Sequence, residues 1–148
     1  MKIRIKRVDK TLPLPQFQTY GSCAMDLYAR ETTIILPNTI GHIPANIIFE
    51  TPEGYMCLIA LRSSTPKRKG LHIPHGIGIL DQDYCGNGDE VIMQVYNATM
   101  KEIVIERGER IGQACFVRVD KPEIMEVDSM DNEDRGGFGS TGHLNKPY

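Results

Sequence analysis

The residues best placed for chemistry lie between His75 and Asn87, which read HGIGILDQDYCGN. Asp81, Asp83 and Tyr84 put two carboxylates and a phenol ring within four residues. Ile77, Ile79 and Leu80 supply strand character, while Gly76 and Gly78 let another group approach the backbone closely. The stretch reads as a β-hairpin arm, with Asp81, Gln82, Asp83 and Gly86 supplying turn chemistry. An Asp-rich turn at a strand end is common, and this stretch alone favours that plain reading. A second candidate is GGFGSTG, residues 136–142. Its small residues can form a concave run of backbone N–H groups that suits phosphate. The run lacks the GK[ST] ending of a P-loop, and Gly/Ser runs are usually linker ends.

The elements that would position these residues can be read from pattern. The chain has 148 residues and a net charge of −2. That length argues for one domain able to bury its own core. The charge gives no sign of a nucleic-acid or membrane surface. The longest apolar runs are strand-sized, short of the roughly 20 residues of a membrane-spanning helix. MKIRIKRV alternates apolar and basic residues, unlike a signal peptide, and predicts a first strand with Ile3, Ile5 and Val8 inward. Cys23, Cys57, Cys85 and Cys115 fit no zinc spacing. Cys57 and Cys115 lie in apolar strands and read as core thiols. A reducing cytoplasm without a disulfide framework is expected.

Short strands recur along the chain with Gly and Pro turns between them. Strand signals fall in 24–36 and 39–50, the latter through Ile40, Ile43, Ile47 and Phe49. YMCLIAL (55–61) is an apolar run of buried-strand length. Further strands are predicted at 91–98, 103–105 and 111–119, with turns at Pro37-Asn38, TPEG (51–54) and ERGE (106–109). The one helix-like signal is SSTPKRKG (63–70), at most two turns, with a Ser cap, Pro66 in the first turn and Gly70 at the end. The pattern predicts an all-β sandwich, jelly roll or barrel. Residues 128–148 carry almost no apolar periodicity and read as a mobile tail after a domain spanning 1–127.

Five motifs stand in order: AMDLYA (24–29), RSS (62–64), GILDQDYCG (78–86), RGERIGQ (107–113) and RGGFGSTG (135–142). Each alone is weak. Together, at these spacings on an all-β chain, they make the sequence resemble the trimeric dUTP pyrophosphatase (dUTPase) family from about Gly21 to Gly142. The resemblance implies a distorted jelly-roll-like β-barrel, a homotrimer with shared active sites, and Mg²⁺-dependent cleavage of dUTP to dUMP and pyrophosphate. Such an enzyme keeps uracil out of DNA and supplies dUMP for thymidylate synthesis. By the resemblance, Asp81 is the general base for a water that attacks the α-phosphorus, and Tyr84 packs on the deoxyribose and leaves no room for a 2′-hydroxyl. Backbone groups of Gly78, Ile79 and Leu80 read the uracil edge. Arg62, Ser63 and Ser64 hold phosphate oxygens, and Gln113 sits near the catalytic water. Asp26 acts near Mg²⁺ through bound water, since this ion keeps several waters. Arg110 pairs with a carboxylate. In the tail, Phe138 stacks on uracil, Gly139, Ser140 and Thr141 wrap the β- and γ-phosphates, and Arg135 adds charge, so that 128–148 acts as a lid.

Some positions depart from the family pattern. Ala24 replaces the usual Gly, Leu61 replaces a frequent Pro before Arg62, and RGGF is two residues shorter than in many members. The loop after Tyr84, CGNGDE, is longer than in compact members. A dCTP deaminase shares this fold and an RSS-type motif. It needs a glutamate three residues before an Asn, and here that position is Gln94 before Asn97, with Glu90 at another spacing. A catalytically silent nucleotide-binding regulator on the same scaffold is the other alternative.

Overall fold

A computed structural model describes residues 2–137, so Phe138, Gly139, Ser140 and Thr141 lie outside the described residues. Eleven strands and one short helix make up the fold among them. The strands are β1 (Arg4–Arg7), β2 (Met25–Tyr28), β3 (Thr33–Ile35), β4 (Ile40–Pro44), β5 (Ile47–Glu50) and β6 (Tyr55–Leu61), followed by α1 (Thr65–Lys69). Then come β7 (Leu71–His72), β8 (Gly78–Leu80), β9 (Ile92–Asn97), β10 (Ile103–Ile105) and β11 (Arg110–Arg118). Every strand pair is antiparallel. A four-stranded sheet in the order β2-β11-β6-β8 faces a three-stranded sheet β4-β9-β7, and the pairs β1-β5 and β3-β10 complete a jelly-roll-like barrel. The one helix among the described residues is far too short to cross a membrane.

The core forms because alternate residues of short strands point inward. Leu27, Ile35, Ile43, Ile47, Phe49, Cys57, Ile59, Val95 and Ile105 meet there. Phe116 packs edge-on against Phe49, with ring centroids 5.4 Å apart. Cys57 is a core thiol, and its burial pushes the thiol pKa up to about 12. Cys115 is only half-buried. Asn97 ends β9 as a buried clamp. Its amide donates to the carbonyls of Ile35 (3.0 Å) and Lys101 (2.7 Å), and its oxygen accepts from Thr99 N (2.9 Å) and Thr99 Oγ1 (2.8 Å).

Three local expectations need correction. Ile5 and Val8 are exposed, not inward, because β1 pairs only with β5 and lies at the edge of the barrel. The arm is not a hairpin closed on itself, since β8 pairs with β6, and residues 81–91 leave as a loop. The apolar pattern of 39–50 is broken at Asn46, which takes the left-handed conformation (φ 61°) between β4 and β5. Asn suits that backbone better than most residues. Its side chain also ties the N-terminal segment down, accepting from Asp9 N (2.6 Å) and donating to Asp9 O (3.0 Å). Asn46→Ala loses both bonds and keeps the unfavourable φ. It is expected to cost about 2–4 kcal/mol, read as a lower urea midpoint.

Candidate active site

β6 and β11 lie side by side and bring three of the motifs together. In their register Gln113 faces Ala60, and on its other side Gln113 faces Asp26 of β2. A β-bulge between Arg110 and Gly112 decides which side chains share a face. It lets Ile111 turn into the core while Arg110 and Gln113 both stay on the side of Asp26. A Cβ on Gly112 would overlap Met93 Sδ, so a larger residue at this crossing forces the Met93 side chain to move. Arg62 follows β6 directly, and a turn holds it. Arg62 N donates to Ile111 O (3.0 Å), Thr65 N to Arg62 O (2.9 Å), and the buried Thr65 hydroxyl to Ile111 O (3.1 Å). Ser64 occupies the cap position of α1, but its side chain makes no capping bond.

The result is a pocket of about 270 Å³ lined by Asp26, Arg62, Ser63 and Gln113, with Gln18, Ser22, Cys23 and Ala24 on the loop side. Asp26 is 6% exposed and binds two guanidiniums. Arg62 Nε lies 3.0 Å from Asp26 Oδ1, and Arg110 Nη1 lies 3.1 Å from Oδ2. Arg110 thus pairs with a carboxylate as expected, and it also donates to Gln18 Oε1 at 2.9 Å. Two guanidiniums against one carboxylate leave a net positive charge, which suits phosphate oxygens. Arg62 spends Nε on Asp26 and donates from Nη1 to Arg110 O at 3.5 Å, which leaves Nη2 without a partner among the described residues and open to a ligand. Ser64 faces a neighbouring pocket on the other side of Arg62, with Arg68 and Lys69. Gln18 carries no sequence signal, since it sits in a patternless loop, yet it lines the pocket and accepts from Arg110.

The arm residues form a second place. Asp81 and Leu80 line a pocket of about 370 Å³ with Tyr55, Met56, Gln82, Asp83, Val119 and Lys121. Gln82 Nε2 donates to Tyr55 O (3.0 Å) and holds the arm to the start of β6. β8 is an edge strand, so the outer backbone groups of Gly78, Ile79 and Leu80 face away from the sheet. A Cβ on Gly78 would press on Ile59 Cβ at 3.1 Å, so this glycine permits the close approach of β8 to β6. His75 Nδ1 is bonded to Ile77 O at 2.6 Å and closes a local turn. Tyr84 is half-exposed, and its hydroxyl donates to Glu90 O at 3.0 Å. Glu90 itself is engaged. Arg30 Nε contacts both carboxylate oxygens (2.9 and 3.0 Å), and Asn46 N donates to Oε1 at 2.8 Å. This contact with Glu90 raises the Arg30 pKa above its ordinary value. Arg135 lies exposed in the irregular segment after β11.

The two places lie at opposite ends of one strand. Leu80 pairs with Cys57, so Asp81 emerges near Met56, whereas Arg62 follows Leu61. Six residues of strand put roughly 20 Å between them. One chain therefore does not bring Asp81 to the Arg62 pocket. The described residues also offer no cluster of three side chains fit to hold a metal ion. Asp26, the one carboxylate in the Arg62 pocket, is already overcompensated by two guanidiniums, which disfavours a hydrated dication on the same oxygens.

This architecture is shared with known proteins. It superposes on a mutant dUTPase of Staphylococcus bacteriophage 80alpha, solved with dUpNHpp, with a TM-score of 0.84 at 22% identity over 95% of this chain and 98% of that one. That likeness defines the class as a dUTPase-type jelly-roll barrel. A family model described as dUTPase matches residues 10–142. The deoxyuridine 5′-triphosphate nucleotidohydrolase of Dictyoglomus turgidum is 36% identical over 148 residues, spanning 96% of this chain and 99% of the relative. The enzyme of that name from Hydrogenobaculum sp. is 35% identical over 145 residues, with the same coverage. The chain belongs to the dUTPase family, a family of nucleotide-hydrolysing enzymes.

Proposed function

We propose that the chain hydrolyses dUTP to dUMP and pyrophosphate, and so limits uracil entry into DNA while supplying dUMP for thymidylate synthesis. The observation that carries this reading is the net-positive pocket where Asp26, Arg62, Ser63 and Gln113 meet, in a chain whose family match spans 10–142. Arg62, Ser63 and Ser64 hold the triphosphate oxygens. Asp26 fixes the Arg62 guanidinium in place, and Gln113 orients the water. Asp81 takes a proton from that water as its oxygen bonds to the α-phosphorus, and the bond from the α-phosphorus to the bridging oxygen breaks to release pyrophosphate. The uracil edge lies along the free backbone edge of β8 at Gly78, Ile79 and Leu80. The Tyr84 ring packs on the deoxyribose and excludes a 2′-hydroxyl.

Mg²⁺ enters as part of the Mg–dUTP substrate, where it neutralises phosphate charge. Substrate phosphate oxygens and retained waters would supply most of its ligands, since this ion keeps several waters when bound. The described side chains do not fit a protein-held site, so Asp26 acts through Arg62 and Arg110 instead. The distance between Asp81 and Arg62 along β6 supports active sites that combine the arm of one copy with the pocket of another, and the family resemblance makes that assembly a homotrimer. Residues 128–148 act as a lid, with Arg135, Phe138, Gly139, Ser140 and Thr141 closing on base and phosphates. The unpaired cysteines suit a cytoplasmic setting. A deaminase reading lacks a base, since Glu90 is held by Arg30 and Asn46, and the expected glutamate position is Gln94. Pyrophosphate release from Mg–dUTP, without ammonia release from dCTP, tests the proposal.

A further inference from the structure

The arm that carries Asp81 and Tyr84 touches the barrel through few contacts. Lys6 Nζ reaches Asn87 O and Oδ1 (3.0 Å each), and Gln82 reaches Tyr55 O (3.0 Å). Within the arm, Gly86 N donates to Asp89 Oδ2 at 2.6 Å and Glu90 N to Gly88 O at 2.9 Å. These bonds shape the extra turn but do not fix where it stands. The fixed point is Glu90. Its carboxylate is mostly buried and is gripped by Arg30 Nε on both oxygens and by Asn46 N–H. The next residue, Val91, is locked into the barrel by bonds to Ile47 O (2.9 Å) and from Ala45 N (2.8 Å). The Glu90 carbonyl is also the atom that receives the Tyr84 hydroxyl, and Tyr84 N in turn donates to Asp81 O at 3.4 Å. Tyr84 is half-exposed, so packing does little to hold its ring.

We propose that Arg30 and Glu90 are positioning residues that set the Tyr84 ring through the Glu90 carbonyl and thereby govern discrimination against the 2′-hydroxyl of UTP. This rests on the reading of Tyr84 as the wall beside the deoxyribose. A steric filter works only if its wall cannot yield. A ring tethered by one hydrogen bond to an anchored carbonyl stands firm, and the same ring on a loosened root can swing aside. Arg30 is outside every motif and does not approach the Arg62 pocket. Its effect is therefore expected on selectivity more than on dUTP turnover.

The test compares kcat/KM for UTP and dUTP in Arg30→Met, Arg30→Lys, Tyr84→Phe and Tyr84→Ala. Arg30→Met is expected to raise the UTP/dUTP ratio about tenfold, the range of a relaxed steric contact, with Arg30→Lys closer to the parent. Tyr84→Phe keeps the ring but loses the tether, and it is expected to raise the ratio similarly. Because Tyr84 is half-exposed, that variant folds even if Arg30→Met does not. Combining Tyr84→Phe with Arg30→Met is expected to add little, as both release one element. An unchanged ratio in Tyr84→Phe overturns the proposal, as does an unchanged ratio in a folded Arg30→Met. If Tyr84→Ala also leaves the ratio unchanged, the deoxyribose-wall reading itself falls, and the two failures are thereby told apart.

Discussion

Asp81→Asn is expected to bind dUTP and lose about 10²–10⁴-fold in kcat, the usual contribution of a positioned base. The amide keeps the shape of the carboxylate but cannot take a proton from water. Asp81 stands near the start of β6, in the pocket formed with Tyr55, Met56 and Lys121, far along the strand from Arg62. The phosphate contacts at Arg62 and Ser63 are thus left intact, and nucleotide affinity persists. The same separation yields a sharper outcome. Asp81→Asn and Arg62→Ala chains, each nearly inactive alone, are expected to regain measurable turnover when co-expressed, because some sites then combine an intact Asp81 with an intact Arg62. Turnover near the parent rate in Asp81→Asn alone contradicts the base assignment. Silence of a verified mixed assembly contradicts the shared site.

Removal of residues 131–148 is expected to cut kcat by about 100-fold, the scale of a site left imperfectly assembled. The urea midpoint should stay unchanged. The reason lies in what the tail does not do. Beyond Arg118 no described residue belongs to a strand, and Ile124, Met125 and Met130 are exposed. Among the described residues no core residue is found after Ala114 except the half-buried Phe116 packed against the cluster. Deleting the tail therefore leaves the barrel whole while taking away Phe138 to Thr141, the residues proposed to close on uracil and phosphate. A truncated chain that unfolds would show a structural tail, and one that turns over dUTP at the full rate would show no lid.

Much of this was legible because strand length, turn residues and apolar alternation are local. YMCLIAL became β6 over the residues expected, and Ile103–Ile105 became β10. Gly70 ends α1 in the left-handed conformation, as a glycine in that position suggests. What stayed hidden depends on partners distant in sequence. Alternation places Ile5 on one face of β1 but does not reveal that the strand lies at an edge. Strand character in 78–80 does not say that the partner is β6. The break at Asn46 is a single positive φ within a convincing apolar pattern. At the site, the motif order pointed to Asp26, Arg62 and Gln113, and the fold brings these three together. It could not show that Asp26 grips both Arg62 and Arg110, since those contacts span 36 and 84 positions in sequence. Nor did Glu90 stand out as an anchor, because its partners Arg30 and Asn46 belong to no motif.

The most direct test is pyrophosphate release by the full chain with Mg²⁺, measured on dUTP, dCTP, dTTP and UTP at equal concentrations. The prediction is release from dUTP with little from the other three, since the β8 edge selects uracil and the Tyr84 ring rejects the ribose. Release at comparable rates from all four would contradict the slot and wall. No release from dUTP at all would contradict the central claim that this site cleaves it.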